Sequence, residues 1–453
     1  MFIEKIKSDG LAHLSYLIGD GAYACVIDPR RDCEVYVEKA RQRGANITHV
    51  IETHRNEDLI SGAPILAKLT GAEVFHGPNP DGKVEYAKTV REGDEFTIGA
   101  MVLRILETPG HTYDSISIQV RDKDFPDRAV GVFTGDALFV GDVGRTDFYP
   151  DEAEKVAGLL YDSLQKLLAL GDQTIIYPAH GAGSVCGNNM AAREFSTIGH
   201  ERRNNSMLQI PSREDFIQKK LDEHHYIPPY FKEMEHLNLV GGTPVADILI
   251  PRPLRPSDIE SLSADWIIDV RSITSFGGAH IPGSIAMPEG MISAFAGYFL
   301  KQDQSLILIC DDAKQATRSS MHLARMGYDK VLGRIDGLVG LSTTGARLES
   351  LEFVDSESVQ ERSASKADDW ELLDVRSVDE YEGEHIKNTQ HLYLGELPKF
   401  LNRLDPKKHY TVMCGSGARA TIAASYLTAN KFTNVDVFLG SMGAWKATDH
   451  KTE

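Results

Sequence analysis

The sequence predicts an α/β protein of three domains, and three observations support this prediction. Its 453 residues are roughly three times the length of a typical domain. Short apolar runs typical of strands alternate with amphipathic stretches typical of helices. A domain-sized repeat occupies the C-terminal part of the chain. Apolar residues make up 42% and charged residues 25% of the chain, which excludes the disordered and fibrous classes.

Charge and hydropathy exclude several further classes. The net charge is −18, from 48 Lys and Arg against 66 Asp and Glu. With no Lys/Arg-rich run, this argues against binding to nucleic acid or to an anionic membrane surface. No apolar run approaches the roughly 18 residues of a membrane span, and residues 1–10 lack the apolar stretch of a signal peptide. We therefore expect a cytoplasmic protein that binds neither nucleic acid nor membrane, while small anionic substrates stay open.

Apolar runs and turn residues define the elements of the first domain. Residues 13–19 and 22–28 flank Gly-Asp-Gly and predict a β-hairpin. Residues 33–44 predict a helix that ends at a glycine, 47–54 a buried strand, and 56–71 a second helix. Residues 190–240 are polar and broken, so we expect irregular chain there. Further strands are predicted at 72–77, 101–110, 115–120, 129–136 and 174–180.

The repeat and a Pro-rich linker divide the chain. Residues 251–256, PRPLRP, predict a stiff linker, with a boundary near 245. The segment DWIIDVRS at 265–272 matches DWELLDVRS at 369–377, and the runs before Cys310 and Cys414 match in turn. The copies lie about 105 residues apart, which is the size of a domain. The predicted domains are 1–245, 246–354 and 355–453.

Four polar residues share one kind of position in the first domain. His54, His111, Asp136 and His180 each follow an apolar strand and precede glycine or a polar loop. Because ligands bind at the ends of strands in open α/β sheets, we expect these side chains to converge. A single histidine at such a position is usually structural, but four with the same placement indicate a metal site.

Residues 10–200 resemble the glyoxalase-II-like branch of the metallo-β-lactamase superfamily, whose fold is an αββα sandwich. Its signature, T-H-x-H-x-D-H, falls on residues 53–59, where Asn56 and Leu59 replace the second and third histidines. The resemblance then leaves one metal site with His54, His111 and Asp136. The second site keeps only Asp58 and His180, too few ligands for a closed site.

Two imidazoles and one carboxylate are the donor set of non-haem Fe(II) oxygenases. We therefore expect one Fe(II) per chain, held by His54, His111 and Asp136, with open positions for O2 and a substrate sulfur. A mononuclear zinc hydrolase could use the same ligands, so the donor set does not identify the metal.

Residues 135–148 closely resemble the persulfide dioxygenases of this branch. In that family an arginine at the position of Arg145 helps to hold the thiol substrate. Pairing of Arg145 with Asp147 or Asp142 is the alternative. His180 and Cys186 are expected to bind substrate in the same pocket, although Cys186 could be an inert buried thiol. The chain departs from the glutathione-using pattern after His180, which leaves the thiol carrier open.

The third domain resembles a rhodanese, with Cys414 and Arg419 in a C-x-x-G-x-R loop. A thiol on a glycine-rich loop before a helix lies among backbone N–H groups that favour the thiolate. The resemblance implies that Cys414 accepts a sulfane sulfur and that Arg419 supplies positive charge. The middle copy keeps Cys310 but has Gln315 in place of the arginine, so it is expected to be a pseudo-rhodanese.

The chain as a whole resembles bacterial persulfide dioxygenases fused to rhodaneses that act in sulfide detoxification. The resemblance implies oxidation of a low-molecular-weight thiol persulfide by O2 to sulfite, and then formation of thiosulfate at Cys414. We also expect a homo-oligomer. Two alternatives stay open: a mononuclear zinc thioesterase of the glyoxalase II type with accessory rhodaneses, and a sulfur-carrier protein whose first domain is catalytically silent.

Overall fold

The computed structural model describes residues 1–453 except 81, 188–189, 243, 245–249, 256, 259–261, 366–368 and 449, and gives the backbone alone at 126–128. The chain divides into two compact units, Met1–Val245 with Arg325–Gly327, and Ala246–Ala324 with Tyr328–Glu453. The predicted boundary near 245 and the last residue of the predicted linker, 256, lie outside the described residues. Among the described residues, no helix is both long and apolar enough to cross a lipid bilayer.

The first unit contains two six-stranded sheets, with strands in the orders β1-β2-β3-β4-β5-β6 and β12-β11-β10-β9-β8-β7. The predicted hairpin is confirmed as the antiparallel pair β2 and β3. The strands are β1 (Phe2–Ser8), β2 (His13–Asp20), β3 (Tyr23–Ile27), β4 (Asn46–Glu52), β5 (Glu73–His76), β6 (Lys88–Thr89), β7 (Glu95–Ile98), β8 (Met101–Glu107), β9 (Ile116–Asp122), β10 (Phe125–Gly135), β11 (Ile175–Pro178) and β12 (Ser196–Thr197).

The two sheets pack face to face, and helices cover their outer faces. One apolar cluster joins β2, β3 and β4 to β8, β9 and β10 between the sheets. A second cluster packs α1 and α2 on the first sheet, and a third packs α3 and α5 on the second. The result is an αββα sandwich. The helices are α1 (Glu34–Gln42), α2 (Ala63–Thr70), α3 (Ala153–Leu168), α4 (Ile198–Asn204), α5 (Arg213–Leu221) and α6 (Phe231–Val240).

Two predicted segments differ from the structure. The helix predicted over 56–71 begins only at Ala63, and Pro64 stands in its first turn, where proline is tolerated. The preceding residues form irregular chain. The polar segment 190–240, predicted to be irregular, contains α4, α5 and α6. The hydroxyls of Thr197 and Ser212 cap the first two of these helices, so local capping starts helices that a weak apolar periodicity does not reveal.

The second unit contains two parallel sheets, ordered β14-β13-β15-β16 and β17-β21-β20-β18-β19. Strand β17 pairs with β21, so the last sheet takes in residues just before the predicted boundary near 355. The strands are β13 (Trp266–Asp269), β14 (Ile285–Ala286), β15 (Leu306–Cys310), β16 (Val331–Asp336), β17 (Glu352–Val354), β18 (Trp370–Asp374), β19 (Gln390–His391), β20 (His409–Met413) and β21 (Val435–Phe438).

Each parallel sheet presents a cysteine where its central strand ends. Cys310 is the last residue of β15, and Cys414 directly follows β20; α9 and α14 begin a few residues later. The helices are α7 (Ile273–Gly278), α8 (Ile292–Phe299), α9 (Ala313–Arg325), α10 (Val339–Ser342), α11 (Ser356–Ser365), α12 (Val378–Gly383), α13 (Leu397–Phe400), α14 (Ala418–Ala429) and α15 (Ser441–Ala447).

Candidate metal centre and sulfur-transfer loop

Strand ends bring the predicted metal ligands together. His54 and His111 lie in the loops after β4 and β8, and Asp136 directly follows β10. All three side chains are buried. The Nε2 atoms of His54 and His111 lie 3.8 and 3.6 Å from Oδ2 of Asp136. The three donor atoms lie within 4.8 Å of one another, so one ion can reach all of them.

Hydrogen bonds fix both imidazoles with Nε2 facing the site. The Nδ1 atom of His54 lies 2.9 Å from Oγ1 of Thr53, whose hydroxyl donates to Asp28. The Nδ1 atom of His111 lies 2.9 Å from the backbone oxygen of Arg145. Both Nε2 atoms are buried and have no hydrogen-bond partner in the described part of the chain. Such oriented nitrogen atoms without partners fit a metal ion.

The charges at the site also fit a cation. Burial alone raises the pKa of Asp136, but the nearby imidazoles of His180 and His54 outweigh burial and lower this pKa well below its usual range. Burial lowers the pKa of His54, which favours the neutral imidazole. A carboxylate and a neutral imidazole are the protonation states that bind a metal.

Glu57 is a residue that the sequence analysis missed. Its Oε1 atom lies 3.3 Å from Nε2 of His111 and 3.3 Å from Sγ of Cys186. Burial opposes ionisation of Glu57, but His111 and His54 lower its pKa overall. The only signal available was its place inside the signature segment, one residue before Asp58. The site therefore contains a second carboxylate next to the donor atoms.

A second donor cluster adjoins the first. The Nδ1 atom of His180 lies 2.8 and 2.9 Å from the two carboxylate oxygens of Asp136, and its Nε2 lies 3.2 Å from Oδ2 of Asp58. Donor atoms of Asp58, His180 and Cys186 lie within 4.8 Å of one another. The sequence predicts two ligands here, Asp58 and His180, and in the structure Cys186, remote from the signature, lies beside them as a third possible donor.

The other candidate site surrounds Cys414 in the second unit. The Sγ atom of Cys414 accepts a hydrogen bond from the backbone N–H of Gly417 at 3.1 Å. Gly417 has φ of 108°, a conformation that favours glycine. The Arg419 guanidinium donates two hydrogen bonds, of 2.6 and 2.7 Å, to the carboxylate of Glu380. A backbone donor aimed at the sulfur and a guanidinium held on the next helix are features that suit a thiolate nucleophile.

The two candidate sites coincide with two family models. Residues 8–180 match the model described as metallo-beta-lactamase superfamily, and residues 256–340 and 356–448 match the model described as rhodanese-like domain. The chain consists of a metallo-β-lactamase domain followed by two rhodanese-like domains. This confirms the predicted fold class.

Individual proteins match parts of the chain. A hydroxyacylglutathione hydrolase from Rhodospirillum rubrum is 33% identical over 176 residues, covering 39% of this chain and 63% of that protein. The chain thus spans about three fifths of the length of this curated relative. A metallo-beta-lactamase structure from Staphylococcus aureus is 29% identical, covers 74% of this chain and 98% of its own, and has a TM-score of 0.67. The structure of ETHE1 from Myxococcus xanthus is 33% identical, covers 54% of this chain and 100% of its own, and has a TM-score of 0.46.

In the metallo-β-lactamase domain, Arg145 is buried and bonded in place. Its Nε and Nη2 donate to the carboxylate of Asp147 at 2.7 and 2.6 Å, and its Nη1 donates to the backbone oxygens of Val185 and Tyr226. The structure therefore shows the ion pair of Arg145 with Asp147, which was the alternative to binding of the thiol substrate. Binding of the thiol substrate by Arg145 stays a prediction.

Cys186 and His180 lie at the metal centre of the same domain. Burial, and then the carboxylate of Glu57, raise the pKa of Cys186 well above its usual range, so Cys186 is a thiol. His180 also lines a cavity of about 210 Å³ together with Leu14, Val140 and Ala182. Their roles in binding substrate stay predictions.

The two rhodanese-like domains differ at their cysteines. In the middle domain the Cys310 thiol donates to the backbone oxygen of Ile335 at 3.5 Å and to Oδ1 of Asp336 at 3.4 Å. Burial and this carboxylate raise the pKa of Cys310 to about 12. Gln315, in place of the loop arginine, accepts a hydrogen bond from the backbone of Asp311. Cys310 is therefore a protonated, bonded thiol, whereas Cys414 accepts a hydrogen bond at its sulfur.

Proposed function

We propose that the protein is a non-haem Fe(II) persulfide dioxygenase coupled to a sulfurtransferase. Its substrates are a low-molecular-weight thiol persulfide and O2, and the sulfite formed at the first site is a substrate of the second. One observation carries the proposal: a buried site of two histidines and one aspartate belongs to the same chain as a Cys-x-x-Gly-x-Arg loop, and among the described residues both imidazole Nε2 atoms lack a hydrogen-bond partner. The two reactions would follow one another, because oxidation of a persulfide gives the sulfite that accepts a sulfur in the second reaction.

His54, His111 and Asp136 are the residues that would hold the iron. When bound, ferrous iron would supply the one-electron chemistry that lets O2 react with the terminal sulfur of a persulfide. The net reaction is RSSH + O2 + H2O → RSH + SO3²⁻ + 2 H⁺, in which the terminal sulfur is oxidised and O2 is reduced.

The residues around the ligands position them and exclude water. Thr53 and the backbone oxygen of Arg145 hold the two imidazoles, and His180 holds the carboxylate of Asp136. All of these side chains are buried. Glu57 places a negative carboxylate beside His111, which strengthens the site for a cation.

Cys414 completes the reaction in the last domain. Its thiolate attacks the terminal sulfur of a second RSSH, the S–S bond breaks, and RS⁻ leaves with Cys414–S–SH formed. Sulfite then attacks the outer sulfur, the new S–S bond breaks, and thiosulfate and a proton leave the regenerated thiolate. The N–H of Gly417 and the guanidinium of Arg419 would stabilise negative charge on the loop in both steps.

A zinc thioesterase is the second candidate, and the similarity to a hydroxyacylglutathione hydrolase favours it. Two imidazoles with one carboxylate are also a catalytic zinc donor set. The donor cluster of Asp58, His180 and Cys186 adds ligands that a second zinc ion could use. This candidate predicts hydrolysis of a thioester without consumption of O2.

Metal analysis with O2-electrode assays on anaerobically purified protein separates the two candidates. We expect about one iron per chain, uptake of O2 with several thiol persulfides, and loss of both in His111→Ala. The matched control is His49→Ala, which removes a histidine of β4 outside the donor clusters. Two tightly bound zinc ions per chain, with activity independent of iron, would sink the dioxygenase proposal.

A further inference from the structure

Ser441 has an unusual backbone conformation close to the rhodanese nucleophile. It is fully buried and has φ of 47°, in the left-handed region of backbone conformation that residues other than glycine seldom adopt. It follows Gly440 at the start of α15. Such strain persists only where other interactions hold the residue in place, and it concentrates at functional sites.

The hydroxyl of Ser441 links the backbones of Cys414 and Phe438. Its oxygen accepts a hydrogen bond from the backbone N–H of Cys414 at 3.0 Å, and its hydrogen is donated to the backbone oxygen of Phe438 at 2.7 Å. The same oxygen lies 4.0 Å from Sγ of Cys414. The serine thus holds the backbone of the nucleophile and bonds the Phe438 carbonyl.

The middle domain shows what happens without this serine. Cys310 pairs with Asp336 across the sheet, and the pair Val412 and Val437 places Cys414 opposite Leu439. This register sets Ile335 at the position of Phe438, and Leu338 at the position of Ser441.

Leu338 offers no hydroxyl, and its φ is −110°. There the protonated thiol of Cys310 itself donates to the backbone oxygen of Ile335. In the last domain the equivalent carbonyl accepts from the hydroxyl of Ser441, and Sγ of Cys414 accepts from Gly417. The two cysteines therefore differ in this contact: the thiol of Cys310 donates to the carbonyl, whereas the sulfur of Cys414 accepts from Gly417.

We propose that Ser441 is a positioning residue for sulfur transfer: its hydroxyl fixes the backbone of Cys414 and occupies the Phe438 carbonyl, which keeps the sulfur free to act as the nucleophile. The inference rests on the proposed sulfurtransferase function. This role requires the Ser441 hydroxyl. The left-handed backbone of Ser441 brings that hydroxyl to the N–H of Cys414.

The test compares Ser441→Ala with Ser441→Gly in the full chain. Both variants remove the hydroxyl, but only glycine also relieves the left-handed strain. We expect Ser441→Gly to melt at a higher temperature than Ser441→Ala. Both should form the Cys414 persulfide from a thiol persulfide roughly fivefold more slowly than the parent, the effect of losing about one net hydrogen bond. The rate is measured anaerobically by mass spectrometry of the Cys414 peptide.

A pH profile separates positioning from general destabilisation. The rate of alkylation of Cys414 is followed on the same peptide. In both variants it should reach half its maximum at a higher pH, because the backbone of Cys414 is no longer held where its sulfur accepts the hydrogen bond from Gly417. Lys431→Gly is the control: Lys431 is exposed, has φ of 70° in the same domain, and lies outside the loop. It should raise the melting temperature and leave rate and profile unchanged.

Three outcomes overturn the inference. In the first, both variants form the Cys414 persulfide at the parental rate and show the parental pH profile of alkylation. In the second, Ser441→Gly recovers the rate of persulfide formation but Ser441→Ala does not. In the third, both variants form the persulfide more slowly but keep the parental pH profile. The second outcome would assign the effect to strain, and the third to stability alone. Failure of the parent to form any Cys414 persulfide, with Cys414→Ser as the blank, would instead reject the sulfurtransferase function itself.

Discussion

In two places in the chain a threonine directly precedes a histidine, and one of these pairs shows how a hydroxyl can orient a metal ligand. Thr53 contacts Nδ1 of His54 at 2.9 Å, and Thr48 contacts Nδ1 of His49 at 2.8 Å. The two distances are nearly equal, but only His54 belongs to the donor cluster. Partners that orient a metal-binding histidine contribute to affinity because they fix the ring before the metal binds.

Thr53→Val should therefore weaken metal binding by about 10- to 100-fold, because it removes the acceptor for Nδ1 of His54. The measurement is competition with a chromophoric chelator under anaerobic conditions. Thr48→Val is the matched control and should bind metal like the parent. Equal affinities in all three proteins would show that Thr53 does not orient a ligand.

The bonded thiol of Cys310 gives the second prediction at this scale. Because burial and Asp336 hold it protonated, it is a poor nucleophile. Cys310→Ser should leave thiosulfate formation within roughly threefold of the parent, a barrier change below about 1 kcal/mol. Thiosulfate formed per minute from persulfide and sulfite is the measurement. A loss as large as in Cys414→Ser would mean that the middle domain also carries sulfur.

At the scale of secondary-structure elements, Glu380 joins helix α12 to the Cys414 loop. Its carboxylate accepts from the backbone N–H of Ser377, forming a capping box, and from the guanidinium of Arg419. Burial alone raises the pKa of Glu380, but the hydrogen bonds and charge of Arg419 outweigh burial and lower it to about 2. The helix cap and the loop arginine thus depend on one ionised carboxylate.

This lowered pKa predicts a stability that depends on pH. The ionised carboxylate is favoured by the fold, so its contribution is complete above about pH 4.5 and is lost as the pH falls towards about 2. The parent should melt at a higher temperature than Glu380→Gln at pH 7, and the gap should narrow below about pH 4.5. A gap that stays constant from pH 7 to pH 3 would contradict this assignment. Asp379→Asn, a neighbour in the same helix, controls for loss of a charge.

At the scale of the whole molecule, the two chemistries belong to different domains. The metal donors lie in the unit that begins at Met1, and Cys414 lies in the unit that ends at Glu453. Each domain has its own sheets and apolar core. A substitution at one site should therefore leave the fold and the chemistry of the other intact.

Cys414→Ser should still consume O2 and a persulfide, but its product should shift from thiosulfate to sulfite because the sulfur acceptor is missing. Asp136→Ala should stop O2 uptake and still form thiosulfate from added sulfite and a persulfide. The ratio of sulfite to thiosulfate at equal O2 consumed is the measurement, and a reaction without protein sets the baseline. An unchanged ratio in Cys414→Ser would remove the last domain from the proposed sequence of reactions.

The sequence by itself determined the α/β class, the order of the domains and the residues at strand ends. Apolar periodicity places strands, and the residue after a buried strand lies at a sheet edge whatever the rest of the fold does. The repeat likewise located Cys310 and Cys414. These inferences need only local pattern and short-range geometry.

Only the tertiary structure decided which distant side chains meet. Cys186 and Glu57 are far apart in the chain, yet their side chains are 3.3 Å apart at the metal centre. Ser441 lies 27 residues beyond Cys414, and its hydroxyl reaches the backbone of that cysteine because β21 runs beside β20. Periodicity reports which face of an element is buried, but it carries no information about what that face contacts. Burial, ionisation and hydrogen bonding at both sites depend on those contacts, and therefore on the folded chain.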